Sequence, residues 1–469
     1  MQFSEILGQN SMNLYKRWQI LIVGSLLIFL ADFGFFLSIP PQTKIFEDIL
    51  CRQHYAAYPA QPSEQNCKVA PVQSELARIN GWKDTFDALP SILVAVPYGA
   101  LADRIGRKPC LLLSMFGVLL SEIWTRFVCW SSSLRLVWLS GLFRLLGGGD
   151  LVVSSIVCVM VADVFPEDDR ATALYRLSSF IILGEILATP VSAAMMTWSC
   201  WTPYLLGLAI VAFGLPIACF LPETLDRQSI EPHTDETQAS LVERLQQRIR
   251  QFSHLARFLW TGNIILALFM FLTSSLSRQS TSLLLQYSSA RYDWSLAHAS
   301  LFLALRGVVT LFTFAFLMPT ITGLLTRALR MSPTVKDRRM SQASGSLSII
   351  GFVLVAVAAA PSLYVVGLVL LSLGSAFVVT TRSLATALVR PDQIGRLYSA
   401  AAVVQSIGTL VAGPWFAQLF DVGLQIGWLG LPFLLAGVLF GLATLAVSLV
   451  RTYEPVNEPE QEPLLSDDV

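Results

Sequence analysis

Charge is the first thing this chain has little of. Asp, Glu, Lys and Arg make up 14% of its 469 residues, where a soluble globular chain carries about 25%. The charges it keeps are balanced, 32 basic against 32 acidic, so there is no cationic excess with which to hold nucleic acid. Histidine is scarcer still, at four residues, and none is spaced from another as a metal pair would be. No glycine-rich turn leads into Lys-Ser or Lys-Thr, which argues against an ATP-driven pump, and no catalytic constellation is visible. The expectation is therefore a chain without metal or cofactor that is not an enzyme.

What is abundant is apolar sequence, 54% of the residues, at a mean hydropathy of +0.60. A membrane-spanning helix needs about 20 mostly apolar residues, and such runs occur near 18–40, 83–102, 109–130, 136–161, 173–196 and 202–221. After a polar stretch they recur near 260–287, 298–319, 341–360, 363–388, 397–420 and 427–450. The pattern predicts an all-α membrane protein of twelve transmembrane helices in two six-helix halves. The divisions are a cytosolic amino terminus (1–17), a first half (18–221) with an outward loop at 41–82, a cytosolic linker (222–257), a second half (258–450) and a disordered acidic cytosolic tail (451–469). The run beginning near Trp18 is too long for a cleaved signal peptide and reads as the first span.

Orientation follows from Lys and Arg. With the amino terminus inside, most of them fall in cytosolic loops, among them Lys16, Arg17, Arg104, Arg107, Lys108, Lys336, Arg338 and Arg339. Linker residues Leu241 to Arg257 have the spacing of a basic amphipathic helix or of a plain solvated one. Of seven cysteines, Cys110, Cys129, Cys158 and Cys219 sit in apolar runs and pack as small hydrophobes. Cys51 and Cys67 share the outward loop, where an oxidising exterior would let them pair; the sequence leaves open whether they do. Glu460 with Leu464-Leu465 has the spacing of a vacuolar or endosomal sorting signal, against a default of the plasma membrane.

Between the second and third runs the chain reads Gly99-Ala-Leu-Ala-Asp103-Arg-Ile-Gly106-Arg107-Lys108. This resembles the signature loop of the major facilitator superfamily. Gly99 would admit close helix approach, Gly106 a tight turn, and Asp103 a cationic partner or helix cap, contacts able to latch one conformation. Arg144 ahead of Gly147 and Gly148 is similar to the superfamily's fourth-span Arg element, which is linked to proton coupling, and Thr189-Pro190 with Ala193-Ala194 is similar to a fifth-span antiporter element with its glycines replaced. Pro40-Pro41-Gln42-Thr43, Gly81-Trp82-Lys83-Asp84-Thr85-Phe86-Asp87-Ala88-Leu89-Pro90 and Pro222-Glu223-Thr224 look like the fungal facilitators found beside secondary-metabolite genes, a branch similar to animal proton-coupled folate transporters. The resemblance implies a secondary transporter that rocks two halves about a central site, partnered by a small molecule, protons and the bilayer, and working as a monomer. It implies proton-driven efflux of an organic metabolite, with uptake of a nutrient or vitamin and a non-transporting receptor as the alternatives.

An ionisable group at mid-membrane costs about 3 kcal/mol or more, so each marks a wet path or a buried partner. Asp32, Glu122, Asp150 and Glu185 lie in the first half and Arg278, Arg306 and Arg382 in the second, with Arg144 the exception. The resemblance puts Asp32, Arg144, Asp150, Arg278 and Arg382 near the substrate and likens Glu185 to a fifth-span proton-coupling glutamate. First-half carboxylates would exchange protons while second-half arginines hold an anionic cargo; alternatively Asp32 or Asp150 only neutralises Arg144. Glu122 and Arg306 fit structural pairing.

Overall fold

A computed structural model describes residues 2–56, 67–130, 133–165, 167–225, 262–328, 331–389 and 394–450. Among them every element is helical. The spans in chain order are Gln2–His54, Ala70–Ile105, Arg107–Val128, Leu134–Val164, Glu167–Met196 and Trp201–Cys219, then Gly262–Tyr292, Leu296–Ala328, Pro333–Val357, Pro361–Ala387, Ile394–Gln425 and Leu431–Leu449. Ten helices are long and apolar enough to cross a membrane, and the second span qualifies as two sections bent by 51°. The seventh falls short because Thr273, Ser274, Ser275, Ser277 and Arg278 dilute its apolar run, which then tightens into a 3₁₀ turn at Ser280–Leu283. The linker beyond Leu225 and the tail from 451 lie outside the described residues.

The outward loop is shorter than 41–82. Helix continues through Pro40 and Pro41 to His54 and resumes at Ala70. A proline inside a helix strips the carbonyl four residues back of its donor, and in lipid that carbonyl must find another. Ser192 of the fifth span supplies one, its Oγ donating to Leu37 O at 2.8 Å, the carbonyl that Pro41 cannot serve. The helix therefore survives two prolines that the sequence alone marks as its end. At its far end Cys51 is joined to Cys67 by a disulfide, both sulfurs buried against Phe46, Val72 and Tyr204.

With lipid as solvent, helices gain little from hydrophobic exclusion and associate through close packing and buried hydroxyls. Accordingly Ser114, Ser121, Ser277, Ser288, Ser341 and Ser348 are almost wholly buried, while Ile22, Phe213, Val438 and Leu449 face outward at more than half exposure. The second span packs on the eleventh and the fifth on the eighth, and these two seams join the halves. At the first seam the backbones of Gly81 and Gly413 lie so close that a Cβ on either would run into the other's carbonyl.

The hydrogen bonds described between the halves gather from mid-bundle toward the disulfide end. Gln286 Nε2 donates to Gln73 O at 2.6 Å, Thr85 Oγ1 to Leu410 O at 2.9 Å, and Lys68 Nζ to Trp294 O at 2.6 Å and Ser289 O at 3.1 Å. Lys68, held by the disulfide at its neighbour Cys67, thus caps the carbonyl end of helix Leu284–Tyr292 in the other half. A hydrogen bond to a charged group contributes about 1.5–3 kcal/mol. Lys68→Met is therefore expected to speed labelling of Ser282→Cys, an exposed cavity position, by an impermeant maleimide from the disulfide side, roughly tenfold. The comparison uses a background with Cys158, Cys200 and Cys219 changed to Ser, and unchanged labelling would mean the contact does not hold that end shut.

Candidate functional site: a charged cavity between the halves

A cavity of about 800 Å³ lies between the halves, walled by the first, second, fourth and fifth spans on one side and by the seventh, eighth and eleventh on the other. Its charged wall is set by a break in the fourth span. Six residues apart on an unbroken helix, Arg144 and Asp150 would point about 120° away from each other. Between them Gly147, Gly148 and Gly149 all take left-handed backbone, at φ of 97°, 87° and 68°, a conformation open to glycine at little cost. The chain turns back on itself, and Arg144 Nη1 meets Asp150 Oδ2 at 2.6 Å. Asp150 also occupies the first turn of the helix that restarts at Gly149, where the helix dipole favours a carboxylate.

Arg144 is 6% exposed and answers to two further acids, Asp87 Oδ1 at 3.6 Å from Nε and Glu122 Oε1 at 3.9 Å from Nη2. Each has a second cation: Lys83 Nζ is 2.7 Å from Asp87 Oδ2, and Arg126 Nη1 is 2.6 Å from Glu122 Oε2. Ser140 Oγ also donates to Asp87, at 2.8 Å. Arg126 continues the chain of contacts outward, donating to Tyr204 O and Ser38 Oγ while its guanidinium sits 4.1 Å from the Tyr204 ring centroid.

Across the cavity the pattern is different. Arg306 Nη2 reaches into the first half and pairs with Glu185 Oε1 at 2.9 Å. Arg278 is exposed on the wall, and its guanidinium makes no hydrogen bond or ion pair to a described residue. The Arg382 guanidinium donates to the amide oxygen of Gln405 at 3.2 Å, with no carboxylate partner among the described residues, and its charge bears on Arg278. Asp32 stands behind the wall, its Cβ against Gly184 of the fifth span, near Asp150 and Glu185, and no cation pairs with it among the described residues.

At the other end of the bundle, Gly106 turns the chain with φ of 118° between the second and third spans. Arg107 pairs with Asp103 and, at 3.4 Å, with Asp163, while Glu223 accepts the backbone N–H groups of Arg107 at 2.9 Å and Lys108 at 3.1 Å. Burial pushes the Glu223 carboxyl up, but the N–H groups of Leu225, Arg107, Lys108 and Thr224 outweigh it and hold the group below the usual range. Residues 21–412 match the Major Facilitator Superfamily. The chain belongs to that superfamily.

Among its relatives within the superfamily is the MFS-type transporter avaK of Aspergillus versicolor, 41% identical over 463 residues that cover 97% of each chain. The MFS efflux pump atnC of Emericella nidulans is 34% identical over 92% of this chain and 86% of its own length. In fold the chain is similar to the crystal structure of the human organic anion transporter MFSD10, at a TM-score of 0.60 and 20% identity over 92% of this chain and 99% of that one. The protein is thus a multi-pass membrane transporter and not an enzyme, as the resemblance implied.

The facilitator fold brings Arg144, Asp150, Glu185 and Arg278 to the lining of one cavity. It leaves Asp32 behind that lining and Arg382 in touch with it through Gln405. Gly99 does not serve close approach here, since a Cβ on it would meet nothing within 4 Å; the loop's bonds stay within the first half and the start of the linker and reach no described residue of the second half. The network members missed from sequence are Lys83, Asp84, Asp87 and Arg126. Their signal was present, Lys83 with Asp87 and Glu122 with Arg126 each at the i, i+4 spacing of a helical ion pair, but they sit at the edges of apolar runs, where charges read as loop.

Proposed function

We propose that this facilitator exports a small acidic organic molecule, a secondary metabolite, from the cytosol across the plasma membrane in exchange for protons. The observation that carries the reading is the segregation of charge. Among the described residues, Arg278 faces the cavity and Arg382 stands behind Gln405 at its edge, neither with a carboxylate partner, while Asp32 lies in the opposite half without a cation. Unpaired ions at mid-membrane are expensive, and each becomes affordable by taking what the transport cycle offers. The arginines take the anion of the cargo, by bidentate recognition where it is a carboxylate, and Asp32 takes a proton. With the signature loop on the cytosolic side, the bonds at the disulfide end close the outer face and leave the cavity to load from within, as an exporter requires. The name of atnC, an efflux pump, supports the direction.

Untargeted mass spectrometry of cells and medium, with and without the protein in its host, identifies the cargo. A compound retained inside the deletion strain and missing outside is expected. Flux of that compound into sealed vesicles then tests coupling: transport that ignores an imposed pH gradient, or binding without flux, would falsify the reading. Arg278→Gln with Arg382→Gln is expected to raise the half-saturating concentration of an acidic cargo roughly 100-fold, at about 1.5–3 kcal/mol for each lost charged contact, with the purified protein equally stable. An unchanged half-saturation would remove the arginines from the binding role.

A further inference from the structure

Three cations of the first half are committed at the cavity: Lys83 to Asp87, Arg126 to Glu122, and Arg144 to Asp150 with Asp87 and Glu122 beside it. Asp84 is left over. It lines the cavity, and its described bond comes from a neutral donor in the other half, Gln279 Nε2 to Oδ2 at 3.1 Å. It stands between the two residues that close the seam, Gly81 against Gly413 and Thr85 against Leu410 O. The groups around it are Lys83 and Asp87 on its own helix, Arg144 of the fourth span, and Gln279 of the seventh with Arg278 beside it in sequence. The eleventh span sets the uncharged Leu410, Gly413 and Ala417 against this stretch.

We propose that Asp84 is a second proton-carrying site, separate from Asp32 and built into the seam between the halves. The inference rests on the proton-coupled reading above. Opened toward the disulfide side, the carboxylate is wet and takes a proton; the seam then closes over a neutral group, which avoids burying an unpaired charge. Facing the cavity, Asp84 gives the proton up, and the Gln279 amide steadies the carboxylate that remains, through a charge-assisted hydrogen bond about twice as strong as its neutral counterpart. Gln279 adjoins Arg278, so the cavity-facing state in which this amide favours proton release from Asp84 is also the state in which Arg278 is open to a cargo anion.

The test is infrared titration of the purified full chain in lipid nanodiscs across neutral pH, following the carbonyl band of protonated carboxyls. The wild-type band is expected to contain a component that Asp84→Asn removes and Asp32→Asn leaves in place. Asp87→Asn, which alters a permanently paired carboxylate, is expected to leave that component too. A band in Asp84→Asn that titrates as in the wild type overturns the proposal. Should Asp84→Asn fail to fold, Asp84→Glu serves: a shifted midpoint for the same component supports the assignment, and an unshifted one overturns it. A band that behaves as proposed in a protein whose flux ignores the pH gradient would sink the coupled reading instead, so the two failures are distinguishable.

Discussion

Gly413→Val is expected to abolish transport and to leave the cavity reachable from the disulfide side. A Cβ at 413 would enter the carbonyl of Gly81 and crowd Thr85 Oγ1, and one at 81 would enter the carbonyl of Gly413 and crowd Ala417. These obstacles are chiefly backbone, which cannot step aside as a flexible side chain does. Overpacking of this kind costs about 1–3 kcal/mol in a core, and here the whole cost falls on the arrangement in which the second and eleventh spans touch. With the seam apart, the valine stands in open space and costs nothing. The bias is therefore one-sided, shifting the balance between closed and open seams roughly 10- to 100-fold. Maleimide labelling of Ser282→Cys from the disulfide side should accelerate by that factor while cargo flux is lost, and Gly413→Ala should give a smaller effect in the same direction. Wild-type flux in Gly413→Val would mean that the seam does not need to close.

The second large effect is at Arg144. Arg144→Ala leaves Asp150 without its cation and takes one of two from both Asp87 and Glu122. Removing one member of a buried ion pair costs about 3–5 kcal/mol; here the buried partners that lose a cation are Asp87 and Glu122, while Asp150 is 57% exposed and adds less. Loss of most folded protein in mild detergent, read by fluorescence-detected size exclusion, is the expected result. Arg144→Lys should recover only part, since a single ammonium cannot present separate nitrogens to three carboxylates. Adding Asp150→Asn to Arg144→Ala should restore a measurable share, because Lys83 and Arg126 still neutralise Asp87 and Glu122; that non-additivity is the signature of direct coupling. If Arg144→Ala alone melts with the wild type, the network is not what holds these spans in register.

The spans and the signature loop were legible because their rules are local. Twenty apolar residues are written in consecutive letters, and so is Gly99 to Lys108. What could not be read depends on partners distant in sequence. Whether Pro41 ends the first helix is decided by Ser192, more than a hundred residues away, and whether Gly99 touches another helix depends on how far apart the halves stand. The segregation of Asp32, Asp150 and Glu185 from Arg278 and Arg382 was visible in the order of the residues. That Arg306 crosses to Glu185, and that Arg278 stays unpaired, required the fold. Asp84 was the hardest to see, since Lys83 beside it in sequence looks like its counterion and is instead held one turn along by Asp87.

The glycine break in the fourth span has one more consequence. Above it, Ser140 and Arg144 belong to the charged wall; below it, the helix carries Asp163 down to Arg107 and the signature loop. A straight helix would transmit a twist at one end to the other, but three left-handed residues in a row make a swivel. Substitutions near Asp163 can then alter turnover without disturbing which cargo is accepted, and substitutions around Arg144 can change the cargo without retuning the loop. Speed and selectivity become separately adjustable, which suits a scaffold that must be refitted to new chemistry one residue at a time.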